Sequence, residues 1–434
     1  MNRVPRIFII ATLLLGASCE LGLVSDLNGW VPVADGGDHR PDPDPVPDPD
    51  PNHHDPDAST PFDESRDAGP SVRDAGNGSG QDSGTRDAGG GTDASVPTGS
   101  GPCDIYGAGQ TPCVAAYSTT RALYSAYAGK LYQLKKSDGS TKDIGPTSPG
   151  GIANSAAQDE FCPGKGSCTI SIIYDQSGKG NDLTKAPGGS KVYGPNDDIE
   201  AVADALPTTL KGQKVYGVHV VGSPTWTSPG QVGYRNTKTT GIAKGDNPES
   251  MYMVTDGTYY NATCCFDFGN AEMLPVAGGF GTMETLYFGN VDWWDTGAGQ
   301  GPWIMADLEV GVYNHGGNHT RDSSNKQNPK DISFSYPFVT AILKGNSAQA
   351  KNGGPFTLKG ANAQSGTLTT VWDGDYPSGY SPMNRQGGVV LGVGGDNSSM
   401  AHGNFYEGVL TTGYATTATD EALQANIVAA GYGK

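Results

Sequence analysis

Two carboxylates in residues 303–313 are the first candidates for chemistry, because apolar and polar positions alternate there. Side chains alternate across a β-strand, so one face would be wholly apolar and would belong in the core. That face would consist of Ile304, Ala306, Leu308, Val310 and Val312. The other face would carry Asp307 and Glu309 beside Trp303, Met305, Gly311 and Tyr313. Acids flanked by aromatic rings suit a sugar cleft, and the alternative is a solvated face with two incidental acids.

A third acid, Asp396, follows a second apolar run at residues 387–397. Val389, Leu391 and Val393 would face inward, which puts Val390, Gly392, Gly394 and Asp396 on the opposite face. Glycines leading to a carboxylate leave room for a ligand against the backbone. The alternative is a glycine-rich turn in which Asp396 serves as a turn former.

Acids of this kind are what glycoside hydrolysis requires. One protonates the leaving oxygen and the other attacks the sugar or activates water, and their separation decides between retention and inversion. The sequence alone does not exclude Glu284, Glu407 or Asp373 from the pair. His315 and His319 lie in a glycine-rich segment, where we expect them to be exposed rather than metal ligands. Neither H-E-x-x-H nor, in the part expected to fold, G-x-S-x-G occurs, and we expect no metal or cofactor.

Short strands must position these acids. Gly-Gly, Pro-Ser-Gly and Asp-Gly turns separate the strand-like segments, which favours an all-β sandwich. Two short helices are expected, one at residues 118–129 and one at residues 419–431. The predicted strands are 169–174, 214–221, 284–288, 303–313, 332–343, 368–372, 388–393 and 405–411.

The cysteines indicate an oxidising compartment. Setting Cys19 aside leaves six of the seven, an even number that disulfides would satisfy. Local closure predicts three bridges, and a zinc site is disfavoured because the spacing of the second pair is not C-x-x-C and no His lies near it. The predicted bridges are Cys103–Cys113, Cys162–Cys168 and Cys264–Cys265.

The first hundred residues are predicted to be processed or unfolded. Residues 1–19 read as an export signal, in which Arg3 and Arg6 precede a short apolar run and Cys19 follows small residues. Cys19 is interpreted as a lipid-anchored residue, and an ordinary cleaved signal is the alternative. Residues 20–101 are rich in Pro, Gly and Ser and contain 17 acidic and 4 basic residues, so we expect a disordered acidic linker. Most of the chain's net charge of −18 lies there, which makes nucleic acid an improbable partner.

From residue 102 onward the sequence resembles the catalytic domain of arabinofuranosidase B, glycoside hydrolase family fifty-four. The resemblance rests on segments that occur in order to the end of the chain. They are Gly-Pro-Cys-Asp-Ile-Tyr at 101–106, Ile-Tyr-Asp-Gln-Ser-Gly at 173–178, Cys-Cys-Phe-Asp at 264–267, Gly-Pro-Trp-Ile-Met at 301–305, Gly-Gly-Asp-Asn-Ser at 394–398 and Phe-Tyr-Glu-Gly-Val at 405–409.

The resemblance implies a concanavalin-A-like (jelly-roll) β-sandwich with long loops at residues 102–434 and an exo-acting, retaining α-L-arabinofuranosidase. It implies Glu309 as nucleophile and Asp396 as acid/base. The sugar-binding residues would be Asp307, Gly395, the Cys264–Cys265 disulfide and Trp294, with Trp293 as the neighbouring choice for the tryptophan. The implied substrate is an arabinose-containing plant polysaccharide such as arabinan or arabinoxylan.

Two departures from the family pattern leave alternatives open. Val310 and Gly311 stand where the family has an Asn pair, and the family's C-terminal β-trefoil is expected to be missing. A catalytically impaired, lectin-like surface lipoprotein is therefore the rival hypothesis, followed by an adhesion protein. We expect an exported monomer that contacts a membrane only through the lipid on Cys19, either at the cell surface or outer membrane or, without the lipid, secreted.

Overall fold

The computed structural model describes residues 100–318, 326–348 and 354–434. Three helices occur in these ranges, and none of the three is long and apolar enough to cross a membrane. In each helix, a proline or a capping side chain accounts for backbone N–H groups of the first turn that have no partner within the helix. In the last helix, for example, the side chain of Thr416 accepts a hydrogen bond from Thr419 N. Gly431 ends that helix in the left-handed region. The helices are α1 (Pro102–Ala108), α2 (Ser155–Phe161) and α3 (Thr417–Ala430).

The other regular elements of the described chain are 21 strands, most of them short. In chain order they are β1 (Cys113–Ser118), β2 (Tyr132–Lys136), β3 (Thr141–Ile144), β4 (Cys168–Ile173), β5 (Leu183–Lys185), β6 (Pro207–Leu210), β7 (Gln213–Tyr216), β8 (Val218–Val220), β9 (Tyr234–Asn236), β10 (Glu249–Thr255), β11 (Asp267–Ala271), β12 (Glu284–Gly289), β13 (Thr296–Gly297), β14 (Trp303–Asp307), β15 (Val312–Tyr313), β16 (Gln327–Asn328), β17 (Val339–Gly345), β18 (Phe356–Asn362), β19 (Thr369–Gly374), β20 (Gly388–Leu391) and β21 (Gly403–Thr412).

Two large sheets form a sandwich. One has the order β1-β21-β10-β17-β18-β19, with β8 added beside β21. The other has ten strands in the order β15-β14-β12-β11-β20-β9-β5-β4-β2-β3. The sheets meet where β12 and β14 contact β17 and β18, and where β11 contacts β21. The prediction of an all-β sandwich is confirmed, with three helices instead of one or two.

The main core lies between the sheets and takes one side chain of every two from the facing strands. Ile304 and Ala306 of β14, Phe268 of β11 and Leu391 of β20 belong to it. Their neighbours Trp303, Met305 and Val390 belong instead to two smaller apolar clusters. Because strand side chains alternate between faces, those clusters lie on the outer face of the ten-stranded sheet. That outer face carries the candidate site.

Several sequence predictions hold and others are wrong. The strands predicted at 169–174, 284–288, 368–372 and 405–411 are present within one or two residues, as is the C-terminal helix. The helix predicted at 118–129 is absent from the described structure, because Ser118 ends β1 and Ser118 Oγ accepts bonds from the backbone N–H groups of Thr120 and Arg121. This local bonding competes with helix formation. The strand predicted at 214–221 is interrupted at Gly217, and that at 332–343 begins only at Val339.

All three predicted disulfides are confirmed: Cys103–Cys113, Cys162–Cys168 and Cys264–Cys265. The first ties α1 to β1, and the second ties the end of α2 to β4. The predicted signal at 1–19, the lipid-bearing Cys19, the linker at 20–101 and His319 lie outside the described residues, apart from the linker's last two.

Candidate active site

Glu309 lies in a tight turn and not within a strand. β14 ends at Asp307, and the chain reverses through residues 308–311 to pair antiparallel with β15. Leu308 N donates to Gly311 O (3.0 Å), and Glu309 N donates to Asp307 Oδ1 (2.9 Å). Glu309 has a φ of 81°, which is uncommon for a residue with a side chain and occurs most often at functional sites. The prediction of one strand over 303–313 is therefore wrong.

After the turn at residues 308–311, the side chains predicted for the core lie on the site side of the sheet, and those predicted for the site side lie in the core. Ile304, Ala306 and Leu308 lie in the main core as predicted. Val312 was predicted for the core but packs on the site side with Met305, whereas Tyr313 lies in the core. The turn breaks the period of two between residues 308 and 311, so alternation cannot be extrapolated through it.

The segment that carries Asp396 also leaves its strand early. β20 ends at Leu391, and Gly392 follows with a φ of 83°. Val389 and Leu391 face the core as predicted, but Val393 joins Val390 on the outer side. Asp396 Oδ1 accepts hydrogen bonds from Ser398 N (2.8 Å) and from Ser398 Oγ. These bonds fix the orientation of the half-buried carboxyl of Asp396, whose charge acts on Glu309.

Gly395 is the point where the two segments meet. A Cβ at this position would lie 2.0 Å from Glu272 Oε2 and 2.7 Å from Glu309 Oε2. Such distances are far below van der Waals contact, so only glycine allows the backbone to approach the carboxylates this closely. Asp396, the next residue, therefore lies close to Glu309.

Arg235 of β9 binds the backbone of the loop that carries Gly395 and Asp396. Its side chain is buried and donates from NH1 to Glu272 O (2.9 Å) and from NH2 to Gly394 O (2.9 Å) and Gly395 O (2.5 Å). The pKa of Arg235 is lowered, because burial outweighs the charges of Glu272 and Asp396, which raise it. The guanidinium thus holds the carbonyl groups of the loop and partly compensates its acids.

Burial and mutual repulsion perturb the acids of the site. Burial raises the pKa of Glu309 well above its usual value, and the charges of Glu272 and Asp396 raise it further. Burial also raises the pKa of Asp396, although its bonds to Ser398 oppose this. Carboxyls whose protonation is shifted toward neutral pH are suited to proton transfer.

Asp307 lies between Glu309 and the vicinal disulfide. Its Oδ2 is 3.1 Å from Cys265 Sγ and 3.7 Å from Cys264 Sγ. Burial raises the pKa of Asp307 well above its usual value, as do the charges of Glu272 and Asp396, while the bond from the Glu309 backbone opposes this. Behind it lies the fully buried Asp267, whose pKa is raised by burial and by Asp307.

An aromatic wall completes the site side of the sheet. The disulfide packs in one apolar cluster with Tyr287, Trp303 and Met305, against which Trp226, Trp293 and Trp294 are partly buried. The ring of Trp293 lies 5.7 Å from that of Trp294 and 6.2 Å from that of Trp226. Trp294, Cys264 and Cys265 therefore share one wall, beside Asp307.

The three acids left open by the sequence have structural roles elsewhere. Glu284 is fully buried, 2.9 Å from Arg385 Nε, and accepts from Tyr376 Oη at 2.5 Å. Glu407 is paired with Arg121 through two short hydrogen bonds. Asp373 accepts hydrogen bonds at the edge strand β19 from Thr357 Oγ1 and Gly354 N.

His315 is not exposed, contrary to expectation. Its side chain is 15% exposed, and Nδ1 lies 3.0 Å from Asp295 Oδ2 and 3.0 Å from Asn314 Oδ1. Within the described ranges, the one grouping of three potential metal ligands is Cys264, Cys265 and Asp307. The two sulfurs are joined in a disulfide and are not thiolates, so this grouping does not fit a metal.

Sequence reasoning missed Glu272, Asp267, Arg235 and Trp226. Asp267 opens β11, and Glu272 comes one residue after the end of that strand and reaches the site beside Gly395. The alternation of Asp267, Gly269 and Ala271 with Phe268 was a usable signal for Asp267 but not for Glu272, which lies beyond the strand. No local pattern distinguishes Arg235 or Trp226, because each reaches the site only through the pairing of distant segments.

Residues 102–433 match the family model described as "Alpha-L-arabinofuranosidase B, catalytic". The chain is 53% identical over 337 residues to the probable α-L-arabinofuranosidase B of Aspergillus fumigatus, which covers 76% of this chain and 62% of that protein. It is 52% identical over 337 residues to the "Arabinofuranosidase/B-xylosidase" of Trichoderma koningii, covering 76% and 63%. The chain thus spans less than two thirds of the length of these relatives.

Solved structures of arabinofuranosidases are also similar to this chain. An arabinofuranosidase complexed with arabinofuranosyl-α-1,2-xylobiose superposes with a TM-score of 0.69 at 48% identity, covering 76% of this chain and 65% of that one. A family fifty-four α-L-arabinofuranosidase soaked with a cyclic sulfate inhibitor also gives a TM-score of 0.69, at 49% identity and with 76% and 66% coverage.

Proposed function

Since the chain belongs to the family of α-L-arabinofuranosidase B catalytic domains, we propose that it is an exo-acting, retaining α-L-arabinofuranosidase. It would remove terminal arabinofuranose from arabinan- or arabinoxylan-type polysaccharides. The observation that carries the proposal is the nearness of Glu309 to Asp396: Glu309 Oε2 lies beside Gly395, the residue before Asp396, and the charge of Asp396 raises the pKa of Glu309.

In the first step Glu309 attacks the anomeric carbon, and Asp396 donates its proton to the departing oxygen. The C–O bond to the rest of the polymer breaks as the bond to Glu309 forms. Asp396 must start protonated, and the raised pKa of its carboxyl supports this role. Glu309 must start ionised, and a raised pKa opposes that state in the free site.

In the second step water hydrolyses the arabinosyl-enzyme ester. Asp396, now ionised, takes a proton from water, whose oxygen bonds to the anomeric carbon as Glu309 leaves. Two inversions at the same carbon give net retention. Asp396 ends protonated and Glu309 ionised, so the cycle closes.

The surrounding groups would bind the terminal sugar. Asp307 would accept hydrogen bonds from ring hydroxyls, while the Cys264–Cys265 disulfide and Trp294 would offer an apolar wall to the sugar face. The backbone of Gly395 would pass close to the ring. The relative that binds arabinofuranosyl-α-1,2-xylobiose supports an arabinose-substituted xylan fragment as one substrate.

The direct test is Glu309→Gln, assayed with an aryl α-L-arabinofuranoside. We expect turnover to fall by at least about 10⁴-fold, since removal of a nucleophile abolishes double displacement, while the thermal melting curve is kept. NMR of the first product formed by the unchanged protein should show the α-anomer. Sugar binding without any turnover by the unchanged protein would favour the lectin-like alternative.

We also propose that the protein is exported and monomeric, with the lipid on Cys19 as its membrane contact. Three disulfides within the described residues support an oxidising compartment.

A further inference from the structure

Glu272 is a buried acid for which the double-displacement steps above have no use. It follows β11 directly and is 1% exposed. Its Oε1 accepts a hydrogen bond from Thr282 Oγ1 (2.6 Å). Its Oε2 is fully buried, and no N–H or hydroxyl of the described residues donates to it. A buried carboxylate oxygen without a donor is costly and calls for a proton or another partner.

The unpartnered oxygen is directed at Glu309. Glu272 Oε2 and Glu309 Oε2 both lie beside the position of a Cβ on Gly395, at 2.0 and 2.7 Å. The two oxygens are therefore no more than about 4.7 Å apart. Two largely buried carboxylates at this distance repel each other, and the charge of Glu272 raises the pKa of Glu309. One of the two then takes up a proton, which it can donate to the other, so the pair holds one proton between two acids.

We propose that Glu272 shares one proton with Glu309 and must hold it when Glu309 attacks. Glu272 is thus a positioning residue that sets the ionisation of the nucleophile. This inference rests on the proposed function, because it assigns Glu272 a part in the same reaction.

The proton balance is internal to the pair. Before attack the O–H bond of Glu309 breaks and an O–H bond forms on Glu272, which leaves Glu309 as the carboxylate. While the ester exists, protonated Glu272 donates to the carboxyl oxygen of Glu309 that is not bonded to sugar. After hydrolysis Glu309 is again a carboxylate, and the proton can return to it. No further reactant is required.

Other charged groups around the pair act in opposite directions. The charges of Asp396 and Asp307 favour a proton on Glu309, and the buried Tyr380 lies near the same carboxyl. Arg235 and Thr282 favour the ionised form of Glu272. In the free site these groups keep the proton on Glu309, and positive charge developing on the sugar moves it to Glu272. The charged and titratable groups that face the pair are Arg235, Asp307, Tyr380 and Asp396. Asp267 acts on the pair only indirectly, through its contact with Asp307.

The test is the pH profile of Glu272→Gln. Glutamine keeps the shape and can donate an N–H, but it neither carries charge nor takes the proton. In the unchanged protein the acid limb of kcat/KM marks the uptake of a second proton by the pair, whereas in Glu272→Gln it marks the protonation of Glu309 alone. Since the free site keeps the shared proton on Glu309, the limb should move to higher pH in the variant, with kcat kept within about tenfold. Glu272→Ala, which leaves Glu309 without a donor, should lose more kcat than Glu272→Gln. The control Glu284→Gln removes a buried acid of the same sheet and should leave the acid limb in place.

A second readout does not depend on turnover. With ¹³C-labelled glutamate carboxyls, the resonance that disappears in Glu309→Gln can be titrated by NMR in the unchanged protein and in Glu272→Gln. We expect its midpoint to fall in the latter. An unshifted midpoint together with an unshifted acid limb would overturn the inference. If the unchanged protein cleaves no arabinofuranoside, the proposed function fails, while the titration still decides whether the proton is shared.

Discussion

The acids of the site outnumber the cations beside them, and this excess governs how each residue titrates. Asp267, Glu272, Asp307, Glu309 and Asp396 all have raised pKa values, and burial is the largest cause for each. Arg235 is the guanidinium in contact with this group. So many buried acids cannot all be ionised together, and the order in which they lose protons becomes the pH dependence of the reaction.

Activity should fall on the alkaline side as Asp396 loses its proton. Burial raises the pKa of this acid, so the protonated form needed in the first step persists to higher pH than an exposed Asp would allow. We expect the alkaline limb of kcat/KM to disappear in Asp396→Asn when an aryl arabinofuranoside with an activated leaving group is used. Ser398→Ala removes a hydrogen bond that favours the ionised form and should move the limb to higher pH. A limb that survives unchanged in Asp396→Asn would assign it to another group.

Gly395 should tolerate no side chain. In Gly395→Ala the new Cβ would meet Glu272 Oε2 at 2.0 Å and Glu309 Oε2 at 2.7 Å, so the loop or both carboxyls must move. We expect kcat/KM to fall by about 10²-fold or more, because displacements near 1 Å misalign reacting groups. The neighbouring Gly394→Ala is the matched control. Its Cβ would come no closer than 3.1 Å to Ser398 Cβ, and its loss of activity should be much smaller. Equal losses in both variants would contradict this account.

At the scale of the elements, the sequence correctly predicted which side chains face the core wherever the two-residue alternation of a strand continued without a break. Ile304, Ala306 and Leu308 were correctly predicted for the core, and so were Val389 and Leu391. The errors at Val312, Tyr313 and Val393 all follow a turn that breaks the period, at residues 308–311 and at Gly392. Both turns carry site residues, so local patterns are least reliable where the chemistry lies. The cysteine pairs were predictable from parity and proximity, whereas Arg235 and Glu272 depend on the order of strands in the sheet.

The turn of Glu309 leaves no room for a side chain at Gly311. A Cβ there would lie 2.3 Å from Tyr313 Cε2, so the tyrosine ring occupies the space of a side chain. We expect Gly311→Ala to lower the free energy of unfolding by about 1–3 kcal/mol, the usual cost of overpacking, and to reduce kcat. Chemical denaturation measures the first effect and steady-state kinetics the second.

Gly107→Ala in α1 is the control. Its new Cβ would meet no atom within 4 Å, so the substitution should be neutral or stabilising by about 0.5–1 kcal/mol. Unchanged stability in Gly311→Ala would show that the Tyr313 ring moves freely.

At the scale of the whole molecule, two parts of the sequence have different physical requirements. The sandwich buries a core between two sheets and contains three local disulfides. Residues 20–101 contain few apolar residues and a net charge of −13, a composition that does not support a packed core. We propose that this segment is a tether that keeps the site accessible to insoluble polymer while Cys19 holds the chain at a membrane.

This arrangement predicts where the protein is found when Cys19 is changed. With the full chain expressed in a Gram-negative host, arabinofuranosidase activity should sediment with membranes and pass into the detergent phase. Cys19→Ala should shift that activity to the soluble fraction without altering kcat on an aryl arabinofuranoside, because Cys19 lies more than eighty residues before α1. We propose that acyl chains on Cys19 supply the membrane affinity, because two such chains are enough for stable anchoring. Cys103→Ala is a matched control that removes a disulfide cysteine, so it should lower thermal stability but leave the protein on the membrane. A Cys19→Ala protein that still sediments with membranes would show that something other than a lipid on Cys19 holds it there.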